Sequence, residues 1–449
     1  MNPSELKQNV DTIVVVVMEN RSFDNVLGYL RSPQHGNRVD VEGIADPSDP
    51  SYLNPNGDGV GLAPFWTKDD PFLSDLPHSK GMVAMQMAYA QVSKSYLMNG
   101  FVRAFEDQFH TTLDRSPALG LLTRADLPTT GALADQYTVC DHWFACVPTS
   151  TAPNRLMSMC GLTKIDETGT LVPDHPTVYD WLLAHNVRWR VYSAGLPFLL
   201  LMPRLAPLML TSHFRRLSEL PEDLASDAPE LRPQVIFIEP DYYDSPVHFH
   251  PPCDNHPPLA MAPGEAFLGK VYGWLTKDPA QWARTVLVVT YDEHGGFFDH
   301  VPPRPVRYRN PNGLAFDTTG PRTPTIVAGP FAPRGVSKTV LDNTSILQLL
   351  AERFGSPGEP YSAEVTGRTQ QGIGSVSAVL SATGANAAAA SISVAPAATS
   401  SVDENAPHGS SEMRQCFDTA TRTFVAQHQA EALTKYPELK SYLAGSNPL

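Results

Sequence analysis

The chain has no run of apolar residues long enough to span a bilayer, and Met1 to Asn9 lack the basic and apolar segments of an export signal. The cytoplasm is therefore the expected compartment. Basic residues are in short supply: 33 Lys and Arg stand against 47 Asp and Glu, a formal net charge of −14. That balance argues against a nucleic-acid surface and leaves any membrane contact peripheral and not driven by basic charge. Cysteine is scarce. The five, at 140, 146, 160, 253 and 416, have no zinc-ligand spacing, and an odd number cannot all pair internally, so they read as free thiols. No internal repeat is visible. Proline (42 residues) and glycine (30) are abundant, mostly beside aromatic and charged residues, which points to long ordered loops. At 449 residues, one large α/β domain with insertions accounts for the chain as well as two domains do.

Three short apolar runs, rich in β-branched residues, end abruptly in acid. Ile13 to Val17 is followed by Glu19-Asn20-Arg21, Val235 to Ile238 by Glu239-Pro240-Asp241, and Val286 to Thr290 by Asp292-Glu293-His294. Such runs suit strands buried on both faces of a parallel sheet, where functional groups gather beyond the carboxyl ends. A fourth run, Thr323 to Ala328, ends at Gly329-Pro330, and Val187 to Ser193 alternates as a strand does. Helices are predicted at Phe23 to Leu27, Gly81 to Leu97, Thr130 to Tyr137, Val178 to His185, Gly264 to Leu275, Ile346 to Arg353 and Glu412 to Leu433. Another is predicted to begin near Pro153, with Ser150 or Thr151 at its cap and Gly161 as its stop.

The loop from Ser32 to Asp75, which contains Asp69-Asp70-Pro71, is expected to lie over the site. Leu196 to Pro203 is the most apolar exposed-looking stretch; it either faces a membrane or belongs to the core. Composition shifts to Ala, Ser, Gly and Thr from Ser356. The expected organisation is a catalytic domain over 1–355, a flexible extension over 356–411 and a helical tail over 412–449.

If the strands are neighbours, Glu19, Glu239, Asp241, Asp292 and Glu293 crowd one rim. Like charges there call for a cation, and hard oxygen ligands without cysteine favour Mg, Ca or Mn, with Zn also open. The alternative is a set of separate, solvated loop carboxylates. His78, His256, His294 and His300 are candidates for contacting phosphate or moving protons, against ordinary structural hydrogen bonds. Thr151 or Ser150 at a helix entrance has the setting of a nucleophile, against that of a plain N-cap.

Four blocks then carry a family resemblance: Glu19-Asn-Arg-Ser-Phe-Asp-Asn-Val-Leu-Gly28, Thr151-Ala-Pro-Asn-Arg155, Asp292-Glu-His-Gly-Gly-Phe-Phe-Asp-His-Val-Pro-Pro303 and Gly320-Pro-Arg-Thr-Pro-Thr-Ile-Val-Ala-Gly-Pro330. In order and spacing they closely resemble the signature blocks of the phosphoesterase family over roughly residues 10 to 355. That family contains bacterial and plant non-specific phospholipases C and respiratory-burst-inhibiting acid phosphatases. The resemblance implies an alkaline-phosphatase/sulfatase-like α/β sandwich, with a mostly parallel central sheet and helices on both faces. It implies one divalent metal ion held by Glu19, Asn20, Asp292 and Glu293. It implies Thr151 as a nucleophile that becomes phosphothreonine, with His78 and His256 lining the phosphate pocket. The expected substrate is a phospholipid, cleaved to diacylglycerol and a phosphorylated head group. The alternatives are a small phosphomonoester, as for an acid phosphatase, and a silent phosphate-binding scaffold. Asn25 and Asn343 stand where family members often carry His, and Thr323 replaces a common Val. These departures leave the implied metal ligands intact.

Overall fold

The structure is a computed structural model and describes residues 1–68, 75–112, 114–169, 172–225, 228, 232–383, 392 and 411–445. Its centre is an eight-stranded sheet. In chain order the strands are β1 (Thr12–Met18), β2 (Thr138–Cys140), β3 (Trp189–Ser193), β4 (Phe214–Arg216), β5 (Val235–Glu239), β6 (Thr285–Tyr291), β7 (Ile326–Ala328) and β8 (Gly335–Ser337). Across the sheet they run β4-β3-β5-β1-β6-β7-β2-β8. All neighbours are parallel except β7, which is antiparallel to β6 and β2. The mostly parallel sheet expected from the buried runs is therefore present.

β-Branched side chains restrict χ1 and fit the pleat, so runs such as Ile13 to Val17 choose strand over helix. β6 is buried at every position, which requires cover on both faces of the sheet. Removing each Val or Leu from water there contributes about 1.5–3 kcal/mol, an upper estimate against a compact unfolded chain. β7 is shorter than its predicted run because Pro324 offers no N–H to a ladder.

The helices used below are α1 (Phe23–Leu27), α2 (Lys80–Met87), α3 (Pro128–Gln136), α4 (Thr151–Cys160), α5 (Ala262–Leu275), α6 (Thr344–Phe354), α7 (Ala363–Thr369) and α8 (Glu412–Lys435). α2 stops well short of the predicted Leu97. Ala88 turns left-handed at φ +49°, and Tyr89–Ala90 and Ser95–Tyr96 pair as a hairpin instead. All five cysteines are free and buried, as expected.

One expectation about the tail needs correction, and one open alternative is resolved. Residues 356–383 are not a loose extension: α7 is capped by Ser362, and its buried Arg368 donates to Asp342 (Nε, 2.9 Å) and to the Cys146 carbonyl (2.9 Å). Composition missed this because a few apolar side chains, Val365, Ile373, Val376, Val379 and Leu380, are all buried and one buried ion pair adds to them. The rest of the predicted extension, 384–410 apart from residue 392, lies outside the described residues, as does Asp69-Asp70-Pro71. Leu196 to Met202 is core, not surface. α8 lies across it, with Phe417 6.3 Å from Phe198 and 5.8 Å from Tyr242 between ring centroids. Among the described residues no helix is long and apolar enough to cross a membrane.

Candidate active site

Met18 of β1 lies in register with Tyr291 of β6, so Glu19-Asn20 and Asp292-Glu293 leave the sheet side by side. Asn20 is left-handed at φ +56°, a conformation that Asn tolerates better than most residues. Its N–H donates to Asp292 Oδ1 at 3.1 Å, and the Glu293 N–H donates to the same oxygen at 2.8 Å. The following turn needs Gly295: at φ +62°, a Cβ there would lie 2.0 Å from the Asn20 carbonyl oxygen. Two acidic strand ends are thus held against each other by main-chain hydrogen bonds and one glycine.

Thr151 is the first residue of α4 and is buried. Its hydroxyl donates to Asn20 Oδ1 at 3.4 Å, which joins this helix entrance to the end of β1. Ser150 is turned elsewhere, accepting the Thr168 N–H at 2.8 Å. The entrance offers fewer donors than its sequence suggests, since the Ala152 N–H is taken by Thr168 Oγ1 (3.0 Å) and Pro153 has none. Asn154 folds the preceding loop onto the helix: Oδ1 accepts the Val147 N–H, and Nδ2 reaches the carbonyls of Val147, Thr149 and Ser150.

His256 and His78 join this group. His256 Nε2 is 2.8 Å from Asn20 Nδ2, and the two imidazole rings are 6.1 Å apart. With Asp75 they form a cluster whose ligand atoms all lie within 4.8 Å of one another. The bonds around His256 are those of a neutral ring, with Nδ1–H donating to the Pro257 carbonyl (2.5 Å) and Nε2 accepting from Asn20. Burial also favours the neutral form, but Asp75, Asp244 and Asp254 pull the other way and push its pKa up to about 10. A protonated ring requires the Asn20 amide turned end for end. Burial likewise opposes charge on His78, and Asp75 and Glu293 outweigh it, raising its pKa.

The other two predicted histidines do structural work. His294 Nε2 bonds Gln86 Oε1 at 2.8 Å while its Nδ1 lies 3.1 Å from Glu293 Oε2, bracing that carboxylate, and His300 Nδ1 bonds Asp24 Oδ2 at 2.6 Å. Asp24 and Asp299 are further tied to buried Arg322 at 2.9 and 2.8 Å, a closed ion-pair network. Glu239 and Asp241 do not join the cation rim. Glu239 accepts the Phe198 N–H (2.7 Å) and the Tyr242 hydroxyl (3.1 Å), while Asp241 accepts from His248, Phe249 and His250. Asn343, at a His position of the family, is buried and holds the Trp143 indole N–H (3.0 Å) and the Tyr291 carbonyl (3.1 Å).

Burial, more than like charge, raises the carboxyls. It pushes Glu19 well above the usual carboxylate range and Asp292 upward, against Arg155. Burial opposes ionisation of Glu293 as well, yet His78 and His294 beside it hold its pKa below the ordinary value. Arg155, quoted in a signature block but given no role by sequence reasoning, bonds to both Glu19 and Asp292. Its partners are far away in the chain, so only the end of the block's pattern, a lone cation among apolar residues, signalled it.

A sequence model described as the phosphoesterase family matches residues 10–357. The chain belongs to the phosphoesterase family. Among curated relatives of this phosphoesterase, non-specific phospholipase C1 of Arabidopsis thaliana is 31% identical over 354 residues, 74% of this chain and 63% of its own length. Phospholipase C B of Mycobacterium tuberculosis is 28% identical over 414 residues, covering 78% of this chain and 74% of its own. The chain thus spans less than two thirds of the plant relative. A phosphonate monoester hydrolase from Silicibacter pomeroyi aligns in structure with a TM-score of 0.30 and 13% identity, over 50% of this chain and 68% of its own.

The donor set fits a hard divalent cation. Glu19, Asn20, Asp292 and Glu293 are buried oxygen donors, and among the described residues Glu293 Oε1 has no hydrogen-bond partner; the three carboxylates do not close to within 4.8 Å of one another, as Asp75, His78 and His256 beside them do. Cysteine is absent from the group, in keeping with Mg, Ca or Mn.

Proposed function

We propose that this phosphoesterase is a metal-dependent phosphoric-ester hydrolase of the phospholipase C type, working through a phosphothreonine intermediate. The observation that carries the reading is the meeting of the Thr151 hydroxyl with Asn20, between the acidic ends of β1 and β6. Glu19, Asn20, Asp292 and Glu293 would hold one divalent cation, which when bound draws electron density from the phosphoryl and hydroxyl oxygens. Thr151 Oγ attacks phosphorus in line, opposite the ester oxygen that leaves as the P–O bond to threonine forms. The start of α4 favours the negative charge on the attached phosphoryl group. His78 and His256, beside Asn20, take the Thr151 hydroxyl proton as it attacks and give one to the leaving oxygen; in the second step they take a proton from the attacking water and return one to the threonine oxygen.

The names of the curated relatives support a phospholipid as substrate. Membrane contact would fall to the end of α2 and the hairpin that follows, where Met85, Tyr89, Val92 and Leu97 are exposed. Leu196 to Met202, being buried, offers no acyl-chain surface, and that observation favours the second reading, an acid phosphatase acting on soluble monoesters. Initial rates on matched phosphodiesters and phosphomonoesters, with phosphatidylcholine micelles and p-nitrophenyl phosphate included, decide between them. The expected result is diester cleavage that chelation abolishes. Hydrolysis of p-nitrophenyl phosphate at acid pH with no action on the micelles reverses the ranking, and no turnover of any ester refutes both.

A further inference from the structure

Arg155 is a charged group of the site that the proposed mechanism leaves unused. It lies four residues after Thr151 on α4, hence on the same face, and is buried. Its Nη2 donates to Glu19 Oε1 and to the carbonyls of Val17 (3.2 Å) and Met18 (3.3 Å), the last two residues of β1 before the acid. Its Nε donates to Asp292 Oδ2 at 3.3 Å. One guanidinium therefore grips the carboxylates that follow two neighbouring strands, and the carbonyls of one of those strands as well. The rings of Phe198 and Tyr242 lie 5.6 and 5.4 Å from its Cζ and screen the far side from water.

The bonds are arranged by oxygen. Asp292 gives Oδ2 to Arg155, while Oδ1 takes the N–H groups of Asn20 and Glu293. That fixes the carboxylate plane and aligns Asp292 with Asn20, whose own Oδ1 meets Thr151.

We propose that Arg155 is the positioning residue of this centre, orienting Glu19 and Asp292 so that they, with Asn20 and Glu293, take up a divalent cation beside Thr151. The proposal rests on the cation reading given above. Lysine keeps the charge but not the planar fork, and a single ammonium cannot serve Glu19, Asp292 and two carbonyls in that geometry.

The test is a titration of the metal-stripped full-length protein with Mn²⁺, read by electron paramagnetic resonance, together with kcat and KM on a phosphodiester. Arg155→Lys, folded by circular dichroism, is expected to bind Mn²⁺ about ten-fold or more weakly, the scale of lost partners around metal ligands. Its kcat falls with that affinity, while KM measured at saturating Mn²⁺ stays near the parent value. Should lysine prevent folding, Arg155→Ala with guanidinium ion added at millimolar concentration takes its place, and Mn²⁺ affinity must then rise with added guanidinium. Parent-like Mn²⁺ affinity in Arg155→Lys overturns the proposal, whatever its activity, and so does a parent protein that takes up no Mn²⁺. A parent that binds Mn²⁺ but turns over no ester refutes the hydrolase reading alone, since the titration still reports on Arg155.

Discussion

Thr151→Ala separates the covalent mechanism from every other use of this site. The hydroxyl makes one long bond, 3.4 Å to Asn20 Oδ1, and lies at a helix entrance that is capped by other groups. Its removal therefore costs the fold about 1 kcal/mol at most, the worth of a single ordinary hydrogen bond. For catalysis the same deletion removes the attacking atom. Loss of a nucleophile lowers turnover by roughly three or more orders of magnitude, equivalent to about 4 kcal/mol of barrier. The two effects thus differ at least several-fold, and the variant should melt near the parent, hold Mn²⁺, and be almost inert. Thr151→Ser keeps the oxygen and should retain measurable rate. Acid quenching of the parent during turnover of a ³²P-labelled ester should leave label on Thr151 and none on the alanine variant. Turnover of Thr151→Ala at near the parent rate would mean that the attacking oxygen belongs to water, and the phosphothreonine scheme would fall.

Asp292→Asn should weaken metal binding and activity and also lower stability, because the amide oxygen still accepts the N–H groups of Asn20 and Glu293 but its NH2 replaces the oxygen that accepts buried Arg155; unchanged metal content after dialysis would contradict its place as a ligand. Glu265 gives a pH prediction remote from the reaction. From α5 it caps α3, accepting the N–H groups of Thr129 (2.6 Å) and Thr130 (2.9 Å), and burial pushes its pKa up to about 7. Between about pH 4.5 and 7 the folded form holds a proton that the unfolded chain has lost, so stability falls as pH rises through that window, by about 3 kcal/mol in all. Glu265→Gln should match the parent near pH 4.5 and exceed it above about pH 7.5 in urea midpoint, and an advantage of equal size at both would refute the assignment.

The sheet was legible because β-branched runs and their acidic stops are local patterns. Ile13 to Val17 and Val286 to Thr290 became the adjacent strands β1 and β6, and the register of Met18 with Tyr291 brought their acidic ends together. The family resemblance also named Thr151, His78 and His256, which the fold gathers around Asn20. What the sequence hid were destinations. Glu239 reads like Glu19, an acid after a buried strand, but its oxygen is consumed by Phe198 and Tyr242. His294 and His300 read like His78 until Gln86 and Asp24 claim them. Arg155 was one residue of a motif, and its meaning depends on carboxylates 136 and 137 positions away in the chain. Ala88 ended a helix whose periodicity ran on, because a left-handed residue leaves no mark in hydrophobic pattern.

The placement of α8 has a consequence for how substitutions in this chain combine. Phe417 packs on Phe198 and Tyr242, and those same rings screen Arg155. Ser411, at the cap of that helix, donates to Asp244, which faces His256 at 3.8 Å. The family match ends at residue 357, so this helix lies outside the shared sequence while touching the side chains that support the shared site. A core cut at 357 and expressed alone would leave one face of Phe198 and Tyr242 open to water. Exchanging cores or tails between relatives therefore transfers a working centre only when residue 417 and the pair 198 and 242 travel together, and mutations at these three positions should be strongly non-additive.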